Sequence, residues 1–180
     1  GMLKLSKKNV LVKKLAAVET LGETTVILTD KTGTLTENKL TLNIFEYSEN
    51  NINAQDIKDQ SLNKYKDLIK KDPFKKIMHI SILCNDAKKS DGNDYEGDPL
   101  DISLMKFFSD SFPEKTEKIH KIERINEDPF DSDSKFMGTI HWVNDSLFYA
   151  CKGATEAVLN RSKFYLEKGK EQKLTDSIRK

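Results

Sequence analysis

Apolar residues recur at helical intervals through residues 10–21 (VLVKKLAAVETL), and Gly22 supplies a natural stop, so the spacing predicts a helix there. The run Val26-Ile27-Leu28 follows and reads as a short strand that ends at Asp30. Residues 40–44 alternate with period two, which predicts a half-buried strand broken by Asn50-Asn51. Residues 54–71 are polar with a narrow stripe of Ile57, Leu62, Tyr65, Leu68 and Ile69, the pattern of a solvated helix. Pro73 suits the first turn of a second helix over 74–84. Residues 85–96 read as a polar, acidic loop with a mobile tip. Asp98 as N-cap and Pro99 at the first position open a further helix carrying Leu104, Phe107 and Phe108. Residues 136–143 and 147–152 flank Asn144-Asp145-Ser146 as a hairpin, and Gly153-Ala154-Thr155-Glu156 leads into a short helix through Val158 and Leu159. Residues 175–180 look like the start of another helix, so the natural protein is expected to continue.

Composition narrows the function classes. With 180 residues the chain can bury one real core, and part of a second. Its 30 Lys plus Arg against 29 Asp plus Glu leave a net charge of +1, which gives no support to nucleic-acid binding. The apolar runs are far shorter than the roughly 18 residues needed to cross a bilayer, so the chain reads as soluble as it stands. Gly1-Met2 lacks the apolar stretch of a secretory signal and reads as a scar of recombinant expression. Cys84 and Cys151 have no metal-like spacing and are expected to be buried free thiols in a reducing compartment. Neither an internal repeat nor a low-complexity tract is present.

Chemistry concentrates in the heptapeptide Asp30-Lys31-Thr32-Gly33-Thr34-Leu35-Thr36. A carboxylate at a strand's C-terminal edge can attack a phosphoryl group, while hydroxyls and the N–H groups of a Gly-containing turn can hold its oxygens. The plainer alternative is a capped turn, because Asp, Thr and Gly favour turns in any case.

The whole heptapeptide resembles the phosphorylation motif of P-type ATPases, the ion pumps that pass through an aspartyl-phosphate. Cys84-Asn85-Asp86, Gly97-Asp98-Pro99-Leu100-Asp101, residues 129–135 (PFDSDSK) and Lys152-Gly153-Ala154-Thr155-Glu156 resemble, in order, the nucleotide-binding signatures of the type II cation-transporting members. The resemblance covers about residues 9–160. It implies an α+β fold: a nucleotide-binding domain over 37–180 built on a twisted antiparallel sheet with flanking helices. Residues 1–36 would be a partial α/β, haloacid-dehalogenase-like segment that begins the phosphorylation domain. ATP or ADP and magnesium are the implied ligands. The implied partners are the phosphorylation, actuator and membrane domains of the same chain and, in the parent protein, a transported cation. The implied location is the cytoplasmic side of an integral membrane protein.

Site residues carry over one by one. Asp30 would be the nucleophile on the γ-phosphate, with Thr32 beside it and both at the magnesium. Thr32 stands where related phosphatases carry a second Asp as general acid and base, so a long-lived phosphoenzyme is favoured over fast hydrolysis. Phe130 matches the phenylalanine that stacks on adenine, the alternative being a loop aromatic that plugs a sheet edge. Lys152 and Lys135 match lysines on the phosphate side, although a lysine is by default a solvated charge. Gly153 would let backbone approach the ligand. Asp101 matches a glutamate near the adenine end, and a helix dipole favours an acid at that place too.

Departures from the family pattern pull toward weaker phosphate contact. Ser132 stands where many calcium pumps have an arginine, and Leu100 where a threonine is frequent. Thr155 replaces a common proline and is expected to N-cap the following helix. Asp86, Asp91, Asp94 and Glu96 crowd the loop before the expected nucleotide pocket, and their field would oppose free ATP more than magnesium-bound ATP. The magnesium-completing motifs of the family are not found after residue 160, so autophosphorylation by this chain alone is not expected. Two competing readings are a degenerate scaffold that binds no nucleotide and a haloacid-dehalogenase-type phosphohydrolase with the middle segment as its cap.

Overall fold

Phe74, Met78 and Ile82 repeat at i, i+4 and i+8, and this stripe turns one face of a helix into the wall of a core. In the computed structural model, which describes residues 2–14, 16–47, 50–59, 65, 67–90, 94–167 and 169–179, the chain divides into two units, Gly1–Asn38 and Lys39–Lys180.

The first unit holds α1 (Met2–Ser6) and α2 (Ala16–Gly22). No residue of 3–38 whose side chain is described is buried. The strand expected at 26–28 does not form: Val26, Ile27 and Leu28 are 69%, 78% and 94% exposed and pair with no described residue. The β-branched Val26 and Ile27 favour extended backbone, but a strand exists only through a neighbour's ladder.

The second unit mixes helices with small antiparallel sheets. A pair of β1 (Ile44–Tyr47) and β2 (Asn50–Asn53) leads into α3 (Ala54–Lys58), whose N-cap Asn53 accepts from the Gln55 N–H at 2.8 Å. The expected strand over 40–44 is thus displaced toward Phe45, because the ladder begins at Ile44 paired with Asn53. Among the described residues the long helix expected over 54–71 gives way to α3 and to 3-10 backbone at Tyr65 and Leu68–Lys70, and Leu62 lies outside them. Only Ile57 on α3 combines bulk with full burial, so the stripe offers little to hold a longer helix.

Helix α4 (Phe74–Leu83) begins after Pro73 as expected. The acidic loop contains a two-residue pair, β3 (Lys88–Lys89) against β4 (Tyr95–Glu96), and its tip, 91–93, is outside the described residues. Helices α5 (Pro99–Ser111) and α6 (Pro113–His120) follow. Phe45 meets Phe74, Phe107 and Phe108 with ring centres 5.1, 5.2 and 5.9 Å apart, an aromatic knot at the centre of the core.

The largest sheet has three strands in the order β5 (Arg124–Asp131), β6 (Phe136–Val143) and β7 (Ser146–Gly153). Its alternation sends Met137, Thr139, His141, Phe148, Ala150 and Lys152 toward α4 and α5. The β6–β7 turn is two residues, Asn144 and Asp145, with φ of 48° and 59°, one residue tighter than the sequence pattern suggested. After β7 come α7 (Thr155–Arg161), a pair of β8 (Phe164–Glu167) and β9 (Lys170–Lys173), and α8 (Asp176–Arg179). The single twisted sheet expected from the resemblance is, among the described residues, distributed over four small antiparallel sheets. Thr155 does not cap α7: Ala154 holds the N-cap position and Thr155 is the first helical residue. Cys84 is fully buried, while Cys151 is only half-buried, and burial pushes both thiols up from their ordinary pKa.

Candidate functional site

The site is assembled from the start of α5, the segment that follows α4 and all three strands of the main sheet. Asp98 accepts the Leu100 N–H at 2.8 Å and Pro99 fixes the first turn, so Asp101 is carried inward and is 4% exposed. A buried carboxylate must be paired. The Asp101 Oδ2 accepts the Asp86 N–H at 2.8 Å, and its Oδ1 accepts from the Lys152 ammonium, which arrives from the inner face of β7. The adjoining Asn85 amide donates to the carbonyls of Ser81 and Asp101, both at 3.0 Å, and fastens α4 to α5. The dipole-stabilised acid of the sequence reading is therefore the hub of a buried network. Lys152 is 18% exposed along its side chain and is an ion-pair partner, not a solvated charge.

Phe130 lies in β5, where the sequence showed no strand period. Pro129 and the register shift between Asp128 and Asp131 explain the lost signal, for an edge strand tolerates both. The ring is 64% exposed, so it does not plug the sheet edge. Directly after it, the Asp131 carboxylate accepts the Ser134 and Asp133 N–H groups at 2.9 and 3.3 Å. These bonds, that from Ser134 foremost, hold its carboxyl below the usual range. The turn ends at Lys135 with φ of 50°, a conformation uncommon for a residue with a Cβ. Strain of this kind collects where a side chain has to be presented in one direction.

Gly153 pairs with Phe136 across the sheet, and a Cβ there would come within 2.5 Å of the Lys135 carbonyl oxygen. The close approach that requires glycine is therefore to this chain's own backbone, at a residue that also lines the cavity described next. The Ala154 N–H donates to the same Lys135 carbonyl at 2.9 Å, so the Lys135 turn is pinned to the end of β7.

Phe130, Lys135, Lys152, Gly153 and Asp101 line one cavity of about 630 Å³. Leu100, Leu104 and Met137 add apolar lining to that of Phe130, and Asp86, Asp98 and Ala154 complete the lining. An apolar lining that also carries two lysines suits a ligand with an aromatic ring and an anionic tail. The sequence reading missed Leu104 and Met137 as lining residues. The i, i+4 spacing from Leu100 and the two-residue spacing from Thr139 were the available signals. The acidic field is weaker than the loop composition implied, because Asp86 is paired with Arg124 at 2.8 Å and Asp94 with Lys106 at 3.1 Å. Asp91 is outside the described residues.

Asp30 and Thr32 stand in the unit Gly1–Asn38 and are exposed. Asp30 heads a tight turn and its Oδ1 accepts the Lys31 N–H at 2.7 Å. Gly33 takes φ of 74°, which closes the turn so that the Thr36 N–H reaches the Lys31 carbonyl at 3.2 Å. Among the described residues no three His, Cys, Asp or Glu side chains come together to hold a metal, and no helix is long and apolar enough to cross a membrane.

Residues 73–180 match the family described as P-type ATPase, cytoplasmic domain N. The chain is 40% identical over 179 residues to calcium-transporting ATPase 1 of Bacillus cereus, an alignment covering 98% of this chain and 19% of that protein. It is 33% identical over 178 residues to a calcium-transporting ATPase of Listeria monocytogenes, covering 99% of this chain and 19% of the relative. It is 35% identical over 186 residues to the sodium/potassium-transporting ATPase subunit alpha of Hydra vulgaris, covering 97% and 18%. The chain spans about a fifth of the length of these curated relatives. On the match of its second unit and its likeness to cation pumps along nearly its whole length, the chain belongs to the P-type ATPases, as part of their cytoplasmic region.

Proposed function

We propose that the cavity of the second unit binds ATP for an ion-translocating P-type ATPase and that residues 1–36 open the phosphorylation domain, with Asp30 as the phosphate acceptor. The observation that carries this reading is the convergence of Phe130, Lys135, Lys152 and Asp101 on one cavity of about 630 Å³. Adenine stacks on the exposed Phe130 ring against Leu100, Leu104 and Met137, and Lys135 faces the phosphates. Stacking of a base on an aromatic ring contributes about 1–3 kcal/mol. Lys152 already serves Asp101, so the phosphates gain less from it than two unpaired lysines would give, and binding to this chain alone is weak.

In the whole protein, a carboxylate oxygen of Asp30 forms a bond to the γ-phosphorus in line, the bond from that phosphorus to the β,γ-bridging oxygen breaks, and ADP leaves. Magnesium usually relies on one or two carboxylates plus substrate phosphates, so an exposed Asp30 with Thr32 in the same turn fits an ion that arrives with ATP. When bound there, the ion neutralises charge on the transferring phosphoryl group. Thr32, lacking a carboxyl, cannot act as the general base that would hydrolyse the phosphoenzyme quickly. The cation carried by the parent pump is selected by parts outside this chain.

Photolabelling tests the binding reading. Irradiation with an 8-azidoadenosine nucleotide should place label on the stretch 125–135, with excess ATP protecting it. Label scattered over the chain, or unaffected by ATP, would overturn the assignment.

A further inference from the structure

One arginine joins the elements that frame the cavity without lining it. Arg124 opens β5, and its guanidinium serves four acceptors. Its Nη1 donates to the Asp86 Oδ1 at 2.8 Å and to the Glu127 Oε2 at 2.6 Å. Its Nη2 donates to the Asn85 carbonyl at 2.8 Å and, at the longer distance of 3.4 Å, to the Leu83 carbonyl. The Leu83 carbonyl belongs to the C-terminal end of α4, where a cation is favoured, and it also accepts from the Thr139 hydroxyl at 3.3 Å. Burial opposes the charge on Arg124, but Asp86 and Glu127 outweigh it and hold the guanidinium protonated.

We propose that Arg124 is a positioning residue for the nucleotide cavity: it clamps the segment Leu83 to Asp86 onto the strand that carries Phe130, and so holds the Asp86 N–H on Asp101 and the Asp101–Lys152 pair in place. The inference rests on the nucleotide reading above. The chain of contacts is continuous. Arg124 fixes Asn85 and Asp86, the Asp86 N–H fixes the Asp101 carboxylate, and Asp101 fixes the Lys152 ammonium at the cavity wall. A planar fork can serve a carboxylate and two carbonyls together, whereas a lysine ammonium at the same place cannot span them. Without the clamp, the α4–β3 connection is free to drift from β5, and the polar wall loses its register with the aromatic one.

The test compares the wild-type chain with Arg124→Lys and Arg124→Gln by two readouts, amide hydrogen exchange without ligand and ADP titration. Exchange at the Asp86 amide should accelerate in both variants, and the Kd for ADP should rise about 3- to 10-fold, the scale of one or two lost hydrogen bonds. The lysine variant should fail to rescue either readout, although it keeps the charge. Should these variants not fold, Glu127→Gln weakens the hold on the same guanidinium from a residue outside the cavity lining and is read in the same two ways. Unchanged exchange at Asp86 would overturn the clamp. Faster exchange with an unchanged Kd would overturn its role in binding. A wild-type chain that gives no response to ADP would overturn the nucleotide reading itself, and this inference with it.

Discussion

Replacing Phe130 by alanine separates a ligand-facing ring from a structural one, because the two roles predict opposite sizes for two measurable energies. Full burial of a Phe side chain contributes about 1.5–3 kcal/mol. The ring is 64% exposed, which leaves about a third of that contribution, roughly 0.5–1 kcal/mol, to be lost from the fold. A ring that plugged the sheet edge would instead cost about 3–5 kcal/mol on truncation. Loss of adenine stacking removes about 1–3 kcal/mol of binding, which at 1.4 kcal/mol per factor of ten raises Kd about 5- to 150-fold. Urea denaturation supplies the first number and a calorimetric ADP titration the second. A stability loss near 4 kcal/mol, or an unchanged Kd with a small stability loss, would refute the reasoning.

Gly153→Ala should destabilise the chain by about 1–3 kcal/mol, because the new Cβ would stand 2.5 Å from the Lys135 oxygen and force β6 and β7 apart; a melting temperature equal to wild type would contradict the close pairing. Lys152→Met leaves the buried Asp101 carboxylate with only the Asp86 N–H; loss of one partner from a buried pair costs about 3–5 kcal/mol, and partial solvent access at Lys152 sets the lower end. A urea midpoint within error of wild type would remove Asp101 from the role of buried hub. Burial, first among the causes, lowers the pKa of both His79 and His141 from 6.5, so the unfolded chain takes up protons before the folded one. Stability is therefore full above about pH 6.5 and falls as pH drops through the lower folded values; urea midpoints equal at pH 7.5 and 5.5 would contradict this. In the full-length protein, Asp30→Asn should abolish an acid-stable phosphoenzyme and leave the ADP affinity of this chain unchanged, a result read by acid-quenched radiolabel and by titration.

Legibility followed the range of the interactions involved. The helices α4 and α5 were readable because their signals are local: Pro73, the Asp98 cap, Pro99 and the apolar stripes all act within one or two turns. The β6–β7 hairpin was readable for the same reason, through alternation and a two-residue turn that accepts positive φ at Asn144 and Asp145. Strand pairing at 26–28 depends on a neighbour that the local sequence cannot reveal, and the residues are exposed. Phe130 drew notice as a ring without a helical or strand period, and its strand was hidden by Pro129 and the register shift beside it. Lys152 and Asp101 were each named, whereas their pairing was not, since 51 positions separate them and nothing in either neighbourhood encodes the contact. Arg124 gave no signal at all. It is one of 30 basic residues, and only the fold shows that four acceptors meet around it.

The central claim is that one cavity of the second unit takes an adenine nucleotide, and the most direct measurement is an amide-shift titration of the isotope-labelled chain with ADP. The account predicts saturable shifts that cluster at Asp101, Phe130, Lys135, Lys152 and Gly153, with weak affinity and little response in residues 2–38. Shifts that map to another part of the chain, or a chain that does not respond at millimolar ADP, would contradict it.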